Sequence, residues 1–380
     1  MLHIDWSSSH IDVNTFLRDY WQKKPLLIKG GLVDFQPDIT PDDLAGLACD
    51  EDIESRIVIE HGETPWQLLR GPFSDETFAD LPESHWTLLV QSVDIYHPDV
   101  ANLLDAFRFI PNWRLDDVMI SFAVQGGSVG PHFDQYDVFL VQGSGTREWQ
   151  VGLVCDANSP RIKGTPLHIL AGFTATDVHV CEAGDILYIP PGYSHFGIAQ
   201  QECMTFSVGF RAPSLGQLLD QFAHHVGAQS DANQRFTDSD RTLGAAGAIQ
   251  SSDIATVRHL ISSALADDAA IAGWFGRFMT ECKHPIELLD EPLQANEVAG
   301  YLSEFELTFV EGSRLAYFED KGVFTLFANG EIATCPNTPI ELQKRLADRE
   351  NEAFMRLKES PEEYAQLIAN LVNVGVFSIE

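Results

Sequence analysis

The chain has 380 residues, of which 44% are hydrophobic and 21% charged, a profile that excludes disorder and leaves room for two or three domains. Its 24 Lys and Arg stand against 56 Asp and Glu, for a net charge of −32 at pH 7. Such a surface repels phosphate backbones and anionic lipids. It therefore argues against duplex nucleic acid and membrane surfaces as primary partners and favours a basic partner.

Neither the N-terminus nor any later segment has the pattern of an export signal or a membrane anchor. A positive region followed by an apolar one is missing, and no run of eighteen uncharged apolar residues occurs. We therefore expect a cytoplasmic protein. The cysteines contain no C-x-x-C pair, so we expect free thiols rather than a zinc cage or disulfides. The six are Cys49, Cys155, Cys181, Cys203, Cys282 and Cys335.

Residues 1–212 carry short runs of branched and aromatic residues, separated by glycine and proline. This composition is typical of strands. The clearest runs are Ser55–Ile59, Trp86–Val90, Val118–Phe122, Val138–Val141, Ile186–Ile189 and Met204–Val208. Many short strands with turn signals between them predict a sandwich or a barrel.

Beyond this region the hydrophobic period becomes helical. Ser214 and Gln217 have capping-box spacing at the start of an amphipathic helix. The same period predicts one further helix, which carries the apolar residues from Val257 to Phe278. Because two helices with broad apolar stripes cannot form a core alone, residues 213–279 are predicted to be a helical dimerisation region. Packing within the chain is the alternative.

Residues 280–380 have the pattern of a small α+β module. A helical stretch near Asn296 to Ser303 precedes short strands and a turn at Asn329–Gly330, and Thr338 has the position of an N-cap for another helix. Helices plus a hairpin resemble a winged helix. With 8 Lys and Arg against 19 Asp and Glu, the module has a net charge of −11, the wrong sign for DNA. We expect it to contact protein and not to bind DNA directly.

The most specific motif is Gly130-Pro-His132-Phe-Asp134, which is followed downstream by Gly184-Asp-Ile-Leu-Tyr-Ile-Pro-Pro-Gly-Tyr-Ser-His195. His132 and Asp134 are two residues apart, so both side chains point to one face of an extended chain. His195, 61 residues beyond Asp134, is placed to complete the set from across a barrel. Two imidazoles and one carboxylate leave open positions on a metal ion, as in non-haem Fe(II) oxygenases. The alternative is three unrelated polar residues.

Two further residues are candidates for binding a co-substrate beside this metal site. Arg147 begins a strand after a glycine turn, and its guanidinium points into the same cavity if that strand pairs antiparallel with Val138–Val141. A guanidinium there suits the distal carboxylate of 2-oxoglutarate, whose other end chelates iron. Ser121, a hydroxyl in an apolar strand, is placed to add a second hydrogen bond. The alternatives are a surface ion pair for Arg147 and a backbone hydrogen bond for Ser121.

Three segments resemble the bacterial JmjC-type ribosomal oxygenases of the cupin superfamily. They are Gly-Pro-His-Phe-Asp-Gln-Tyr-Asp-Val-Phe (130–139), Gly-Asp-Ile-Leu-Tyr-Ile-Pro-Pro-Gly (184–192) and Ser-Val-Gly-Phe-Arg-Ala-Pro (207–213). The likeness continues through 86–91, 113–122 and the helical and C-terminal parts, so it covers most of the chain. Members of this family are Fe(II)- and 2-oxoglutarate-dependent arginine hydroxylases of the sixteenth large-subunit ribosomal protein.

The resemblance implies an α+β fold in three parts. A JmjC/cupin double-stranded β-helix over 1–212 is followed by a helical dimerisation region over 213–279 and a C-terminal winged-helix-like domain over 280–380. The implied metal is Fe(II), with 2-oxoglutarate and O2 as co-substrates. The implied partners are a basic large-subunit ribosomal protein as substrate and a second copy of the chain in a homodimer. The net charge fits this substrate because it attracts a basic protein.

The resemblance also assigns roles to four residues of this chain. His132, Asp134 and His195 match the iron ligands, and Arg147 matches the basic residue that holds the 2-oxoglutarate carboxylate. These are the same residues that spacing and residue type single out on their own.

The substrate pocket and the residue modified are less closely defined. Tyr136 adjoins the ligands, and Asp137 or Asp116 is placed to pair with a substrate guanidinium. Capping of a turn is the alternative for Asp137. The alternatives for the function are the same chemistry on a histidine of another ribosomal protein, a Zn or Mn cupin that uses no oxygen, and a docking protein without catalysis.

Overall fold

The structure is a computed structural model, and its described residues are 2–32, 35–60, 66–228 and 234–380. The chain divides into two compact units, Met1–Ala212 and Pro213–Glu380. The finer division of the second unit at residue 279, and a dimerisation role for 213–279, stay predictions. No helix in the described ranges combines the length and the apolarity that crossing a bilayer requires.

The N-terminal unit is built around two antiparallel sheets. Within the described ranges its strands are β1 (Leu26–Ile28), β2 (Ser55–Ile59), β3 (Gln67–Arg70), β4 (Trp86–Val90), β5 (Leu115–Ala123), β6 (Val138–Ser144), β7 (Thr146–Val154), β8 (Ala175–Glu182), β9 (Ile186–Ile189), β10 (Tyr193–Ala199) and β11 (Cys203–Phe210). The larger sheet has the order β1-β9-β6-β11-β5-β4-β2-β3, and the smaller has the order β10-β7-β8. All six predicted strands are present. Its helices are α1 (Val13–Asp19), α2 (Pro41–Leu47), α3 (Asp75–Ala79) and α4 (Pro98–Ala101).

The two faces of the larger sheet pack against different layers, because successive side chains of a strand point to opposite sides. One face, here called the outer face, packs against α1 and the segments around it. Its core includes Phe16, Phe107, Phe139, Tyr188, Phe206 and Phe210. The other face, here called the inner face, lies against the smaller sheet, where Leu140 and Leu187 pack with Trp149 and Val151. The space between the sheets is therefore partly filled by apolar side chains.

The antiparallel pairing of the Arg147 strand with Val138–Val141, which was the condition for Arg147 to reach the cavity, is not formed. Strand β6 pairs with β9 on one side and β11 on the other, so neither of its edges is free for β7. Instead β7 pairs with β8 and β10. The change of sheet occurs at Gly145, whose φ of +64° is in the left-handed region. A Cβ there would lie 2.1 Å from the carbonyl oxygen of Glu202. Arg147 consequently approaches the inner face from the opposite sheet.

The C-terminal unit begins with helices and continues as a mixed module. Within the described ranges its elements are α5 (Leu215–Gly227), α6 (Ser251–Ala264), α7 (Asp268–Thr280), α8 (Val298–Tyr301), β12 (Leu307–Phe309), β13 (Leu315–Asp320), β14 (Val323–Ala328), β15 (Glu331–Ile332), α9 (Ile340–Ala347), α10 (Asn351–Glu359), α11 (Ala365–Asn373) and β16 (Phe377–Ile379). The predicted capping box at Ser214 and Gln217 is confirmed. The hairpin β13–β14 with β15 and the pair β12–β16 form two small sheets around an apolar core.

Two predicted helix features of this unit are wrong. The single helix expected from Val257 to Phe278 is two helices, because Asp267 caps the second of them by accepting hydrogen bonds from the amides of Ala269 and Ala270. At the start of α9, Pro339 holds the N-cap position predicted for Thr338, and no side chain caps the helix there.

Candidate metal centre

The three predicted metal ligands converge at one end of the space between the sheets. The amide of His132 donates to the carbonyl of His195 at 3.0 Å, and the amide of His195 donates back to His132 at 2.8 Å. The amide of Gly192 donates to the carbonyl of Asp134 at 2.7 Å. Gly192 has a φ of +82° that a side chain would strain, which explains the glycine of the Pro-Pro-Gly turn. Backbone hydrogen bonds thus join the two motifs, whose ligands Asp134 and His195 lie 61 residues apart in sequence.

The side chains of this cluster have the geometry of a shared ion site. One nitrogen from each histidine and one oxygen from Asp134 lie within 4.8 Å of one another. The distance from His195 Nε2 to Asp134 Oδ2 is 3.6 Å, and the two imidazole centroids are 4.3 Å apart. His195 is buried, whereas His132 and Asp134 are half-buried. A single cation can therefore be approached by three ligands from one side, which leaves its other side open.

The ring orientation of both histidines is fixed by the backbone. Nδ1 of His132 lies 2.9 Å from the carbonyl oxygen of Gly130, and Nδ1 of His195 lies 3.1 Å from that of Tyr193. Since a carbonyl oxygen only accepts, Nδ1 is the protonated nitrogen in each ring, and Nε2 carries the lone pair toward the centre. Burial and the adjacent His132 lower the pKa of His195 to about 4. The imidazole is therefore neutral at neutral pH, as a metal ligand must be.

Arg147 is a buried cation without a charge partner in the part of the chain that the structure describes. It is 2% exposed, and its guanidinium donates to Ser121 Oγ at 3.2 Å and Thr205 Oγ1 at 3.5 Å. Its Nε has no hydrogen-bond partner among the described residues. Burial lowers the pKa of Arg147, but a guanidinium stays protonated at any physiological pH. The site thus holds a desolvated positive charge and an unused donor.

Packing determines where the guanidinium of Arg147 lies. It sits 4.9 Å from the ring centre of Trp149, which in turn lies 6.0 Å from the ring of His195. A Cβ on Gly197 would lie 2.5 Å from Trp149 and 2.8 Å from Arg147 Nε. Only glycine at position 197 leaves room for both side chains.

The sequence reasoning missed Thr205, which bonds Arg147, and Gln142, which bonds Thr205. Thr205 is the direct neighbour of Ser121 on one side and of Gln142 on the other, so the three form a polar row across the inner face. Thr205 Oγ1 donates to Gln142 Oε1 at 3.1 Å, and Gln142 Nε2 donates to backbone carbonyls. The sequence signal that could have identified them is a polar residue at an inward-facing position of each of three otherwise apolar strands, β5, β6 and β11.

The predicted substrate residues have different environments. Tyr136 is 43% exposed, and the nearby Asp134 carboxylate, burial and Asp117 raise its pKa. Asp116 is half-buried and lies beside Asp117 on β5, where the register with β11 shifts. Asp117 is buried and accepts hydrogen bonds from Gln91 and Ser92. Three carboxylates, those of Asp116, Asp117 and Asp134, and the guanidinium of Arg56 therefore act electrostatically on Tyr136.

Asp137 has a different role from the predicted pairing with a substrate guanidinium. Its side chain is fully buried. The carboxylate accepts hydrogen bonds from Tyr188 Oη at 2.6 Å, Gln22 Nε2 at 2.9 Å and Arg114 at 3.2 Å. Three donors leave no access for a fourth from outside. These three partners are side chains from distant segments of the chain.

Comparison with protein families places this fold and site in a known class. The family model "JmjC domain" matches residues 102–218, and the model "ROXA-like winged helix" matches residues 263–378. The first match contains all three residues of the metal cluster. A JmjC domain with a C-terminal winged helix is therefore the class to which the chain belongs, and the predicted α+β fold class is confirmed.

Whole-chain relatives narrow the class. The chain is 37% identical over 373 residues to the ribosomal protein uL16 3-hydroxylase of Escherichia coli K12, covering 96% of this chain and 97% of that protein. It is 35% identical to a probable ribosomal oxygenase of Haemophilus influenzae, over 90% of this chain and 87% of that protein. The solved structure of the E. coli ribosomal oxygenase YcfD with cobalt and 2-oxoglutarate matches with a TM-score of 0.84 at 34% identity, over the full length of both chains. This chain belongs to the bacterial JmjC-type ribosomal oxygenases, as its motifs predict.

Proposed function

We propose that this chain is an Fe(II)- and 2-oxoglutarate-dependent dioxygenase that hydroxylates an arginine of the sixteenth large-subunit ribosomal protein. The proposal rests on one observation: the metal-ligand cluster and the guanidinium of Arg147 lie in the space between the two sheets, and each lacks a partner within the described ranges. A cluster of three ligands leaves positions on a metal ion unfilled, and a buried guanidinium in the same space has no carboxylate partner among the described residues. A metal-chelating dicarboxylate supplies what both groups lack.

The donor set fits the proposed metal. Two neutral imidazoles and one carboxylate are the facial set of non-haem Fe(II) oxygenases, and both Nε2 atoms are directed by their Nδ1 hydrogen bonds. His132, Asp134 and His195 would hold the metal and leave positions for the co-substrate and O2. The E. coli relative was solved with cobalt together with 2-oxoglutarate. That pairing supports a divalent transition metal beside 2-oxoglutarate in this chain as well.

Each part of the protein has a definable task in the reaction. When bound, Fe(II) and 2-oxoglutarate supply the oxidising chemistry, in which O2 gives one oxygen atom to succinate, released with CO2, and the other to the substrate. Arg147 binds the distal carboxylate, while Ser121 and Thr205 fix the guanidinium in place. Trp149 and the apolar residues of the inner face keep water away from the co-substrate. The protein supplies position and a dry pocket.

The acidic surroundings of Tyr136 support an arginine as the residue modified. A guanidinium stacks on an aromatic ring and pairs with carboxylates, and Asp116, Asp117 and Asp134 all act electrostatically on Tyr136. The net charge of −32 draws a basic ribosomal protein toward the site. The E. coli relative is named as a uL16 3-hydroxylase, which supports the same ribosomal protein as substrate.

The test is the mass of the ribosomal protein after incubation with enzyme, Fe(II), 2-oxoglutarate and air, followed by peptide sequencing. We expect a gain of one oxygen atom on an arginine. Asp134→Ala should give no gain, whereas Asp177→Ala, which removes an exposed carboxylate on β8, should match the wild type. A gain on histidine contradicts the proposed residue. Succinate without any gain contradicts the proposed substrate.

We also propose that the chain is a homodimer that acts in the cytoplasm, where ribosomal proteins are made. Several apolar side chains on the first two helices of the C-terminal unit are exposed in the single chain, among them Leu219, Ile254 and Ile261. Light scattering should give twice the mass of one chain. Ile261→Glu should shift it to one chain, whereas Ser262→Glu on the same helix should not. A wild-type monomer contradicts the dimer.

A further inference from the structure

A closed ring of hydrogen bonds lies on the outer face of the larger sheet. The backbone amide of Gln22 donates to Tyr188 Oη at 2.7 Å, and Tyr188 Oη donates to Asp137 Oδ1 at 2.6 Å. Gln22 Nε2 closes the ring at Asp137 Oδ2 over 2.9 Å, and Arg114 also donates to this oxygen. These four residues are called the Asp137 cluster below.

The Asp137 cluster joins the two segments that carry the metal ligands. Asp137 follows Asp134 by three residues and directly precedes β6. Tyr188 is on β9, which leads through the Pro-Pro-Gly turn to His195, and Gly192 in this turn donates to the carbonyl of Asp134. The Tyr188–Asp137 bond therefore links the same two segments as the backbone bonds at the site itself. The distance between the two segments is therefore fixed twice, by the backbone hydrogen bonds at the site and by the side chains of the Asp137 cluster.

Burying the polar groups of the Asp137 cluster costs more free energy than burying apolar side chains that only fill space. Asp137 and Tyr188 are fully buried among aromatic rings, including Phe16 and Phe139. Gln22 has a φ of +58°, which is strained for any residue with a Cβ. Buried ionic groups are often no more stabilising than apolar residues of the same shape, but they do fix a unique arrangement. The observations thus favour a role in geometry over a role in stability.

We propose that Asp137, Tyr188 and Gln22 are positioning residues for the metal centre. They hold the segment of His132 and Asp134 at a fixed distance from the segment of His195, so that the three ligand atoms are preorganised for one ion. This inference rests on the proposed function, because it assumes that the three residues bind a metal. Groups hydrogen-bonded directly to metal ligands typically change metal affinity about 10-fold to 100-fold when they are removed, and because the Asp137 cluster acts through the backbone of the ligand segments we expect the lower end of this range.

The test is the affinity of the metal-free full-length protein for Co(II). Calorimetry measures this affinity, and the visible absorption of the bound ion reports its coordination. Tyr188→Phe removes one hydroxyl, and we expect Co(II) to bind about 10-fold more weakly, with an altered absorption spectrum. The matched control is Tyr364→Phe, the same change at an equally buried tyrosine of the C-terminal unit. It should leave both the Co(II) affinity and the spectrum unchanged.

A second pair of variants separates positioning from stability. Asp137→Asn and Asp185→Asn each alter a buried carboxylate of the N-terminal unit, but Asp185 bonds the amides of Gly30 and Glu182 and the ammonium of Lys29, and does not join the ligand segments. Both should lower the melting temperature, whereas only Asp137→Asn should weaken Co(II) binding.

Gln22→Gly loses a hydrogen bond but relieves the positive φ, so it should weaken Co(II) binding with little loss of stability.

The outcomes distinguish failure of this inference from failure of the proposed function. If the wild type binds Co(II) and Tyr188→Phe and Gln22→Gly bind it equally well, the positioning role is overturned. Equal weakening by Asp185→Asn also overturns it, because the effect would then follow stability. A wild-type protein that binds no Co(II) overturns the proposed metal site and this inference with it.

Discussion

The inner and outer faces of the larger sheet each bury a charged side chain, but they bond it differently. On the outer face, three donors of the chain surround the Asp137 carboxylate. On the inner face, Arg147 has two hydroxyl acceptors, no carboxylate partner among the described residues and an unused Nε. Leaving a buried charge uncompensated is costly, so a group in this state is explained by a ligand that completes it. The inner face is therefore distinguished as the reaction site by a buried charge whose hydrogen-bond donors are not all used, and not by burial alone.

The largest effect should come from the metal ligands. Replacing His195 or Asp134 by alanine removes one of three protein ligands, which exceeds the loss of an orienting partner, so hydroxylation should fall by about 100-fold or more. Co(II) affinity measured on the same variants should fall with it. Near-normal hydroxylation by either variant would show that the inner-face cluster is not the metal centre.

Arg147 gives the sharpest contrast between the faces. Arg147→Met keeps the volume and removes the charge, so the KM for 2-oxoglutarate should rise about 100-fold, as expected when a buried ion pair loses one partner. The same change should raise the melting temperature of the ligand-free protein, because an uncompensated buried charge is lost. Asp137→Asn should lower it. Steady-state kinetics and thermal unfolding of both variants test this, with Arg108→Lys as a control in a separate ion pair.

The polar row beside Arg147 should contribute less. Ser121→Ala removes one neutral acceptor of the guanidinium, a bond of about 1 kcal/mol, which corresponds to a roughly 5-fold higher KM for 2-oxoglutarate. Thr205→Val should act in the same direction, because it removes the hydroxyl that links Arg147 to Gln142. An unchanged KM in both variants would mean that Trp149 and packing alone place the guanidinium.

The smallest effect concerns the access of solvent and reagents to the space between the sheets in the folded, ligand-free protein. Burial raises the pKa of Cys181 to about 12, so at pH 8 only about one molecule in ten thousand carries its thiolate. Cys49 is exposed. A thiol reagent at pH 8 should therefore modify Cys49 in the folded protein and reach Cys181 only after unfolding, as peptide mass mapping can show. Rapid labelling of Cys181 would contradict a dry space between the sheets.

Much of the site was predictable because it lies in short motifs. His132 and Asp134 share a face through the two-residue period of an extended chain, and the apolar strand with its Pro-Pro-Gly turn pointed to His195. The sheet in which β7 pairs was not predictable, because it depends on β9 and β11 having taken both edges of β6. Local patterns record which residues alternate, but not which strand edges are free.

Two other errors have different origins, one in distant bonds and one in a local helix cap. Asp137 adjoins the ligands in sequence, yet its partners Gln22, Arg114 and Tyr188 come from three distant segments, so its role could not be inferred from its neighbours. The helix expected from Val257 to Phe278 kept its apolar period through a break, because Asp267 satisfies the free amides of a new helix there.

The most direct test of the inner face as the reaction site is anomalous diffraction at the cobalt edge from crystals grown with Co(II) and 2-oxoglutarate. We expect one cobalt peak bonded to Nε2 of His132, Nε2 of His195 and the carboxylate of Asp134. The distal carboxylate of 2-oxoglutarate should lie on Arg147. A cobalt peak elsewhere, or a co-substrate that leaves Arg147 without a carboxylate, would contradict the proposed site.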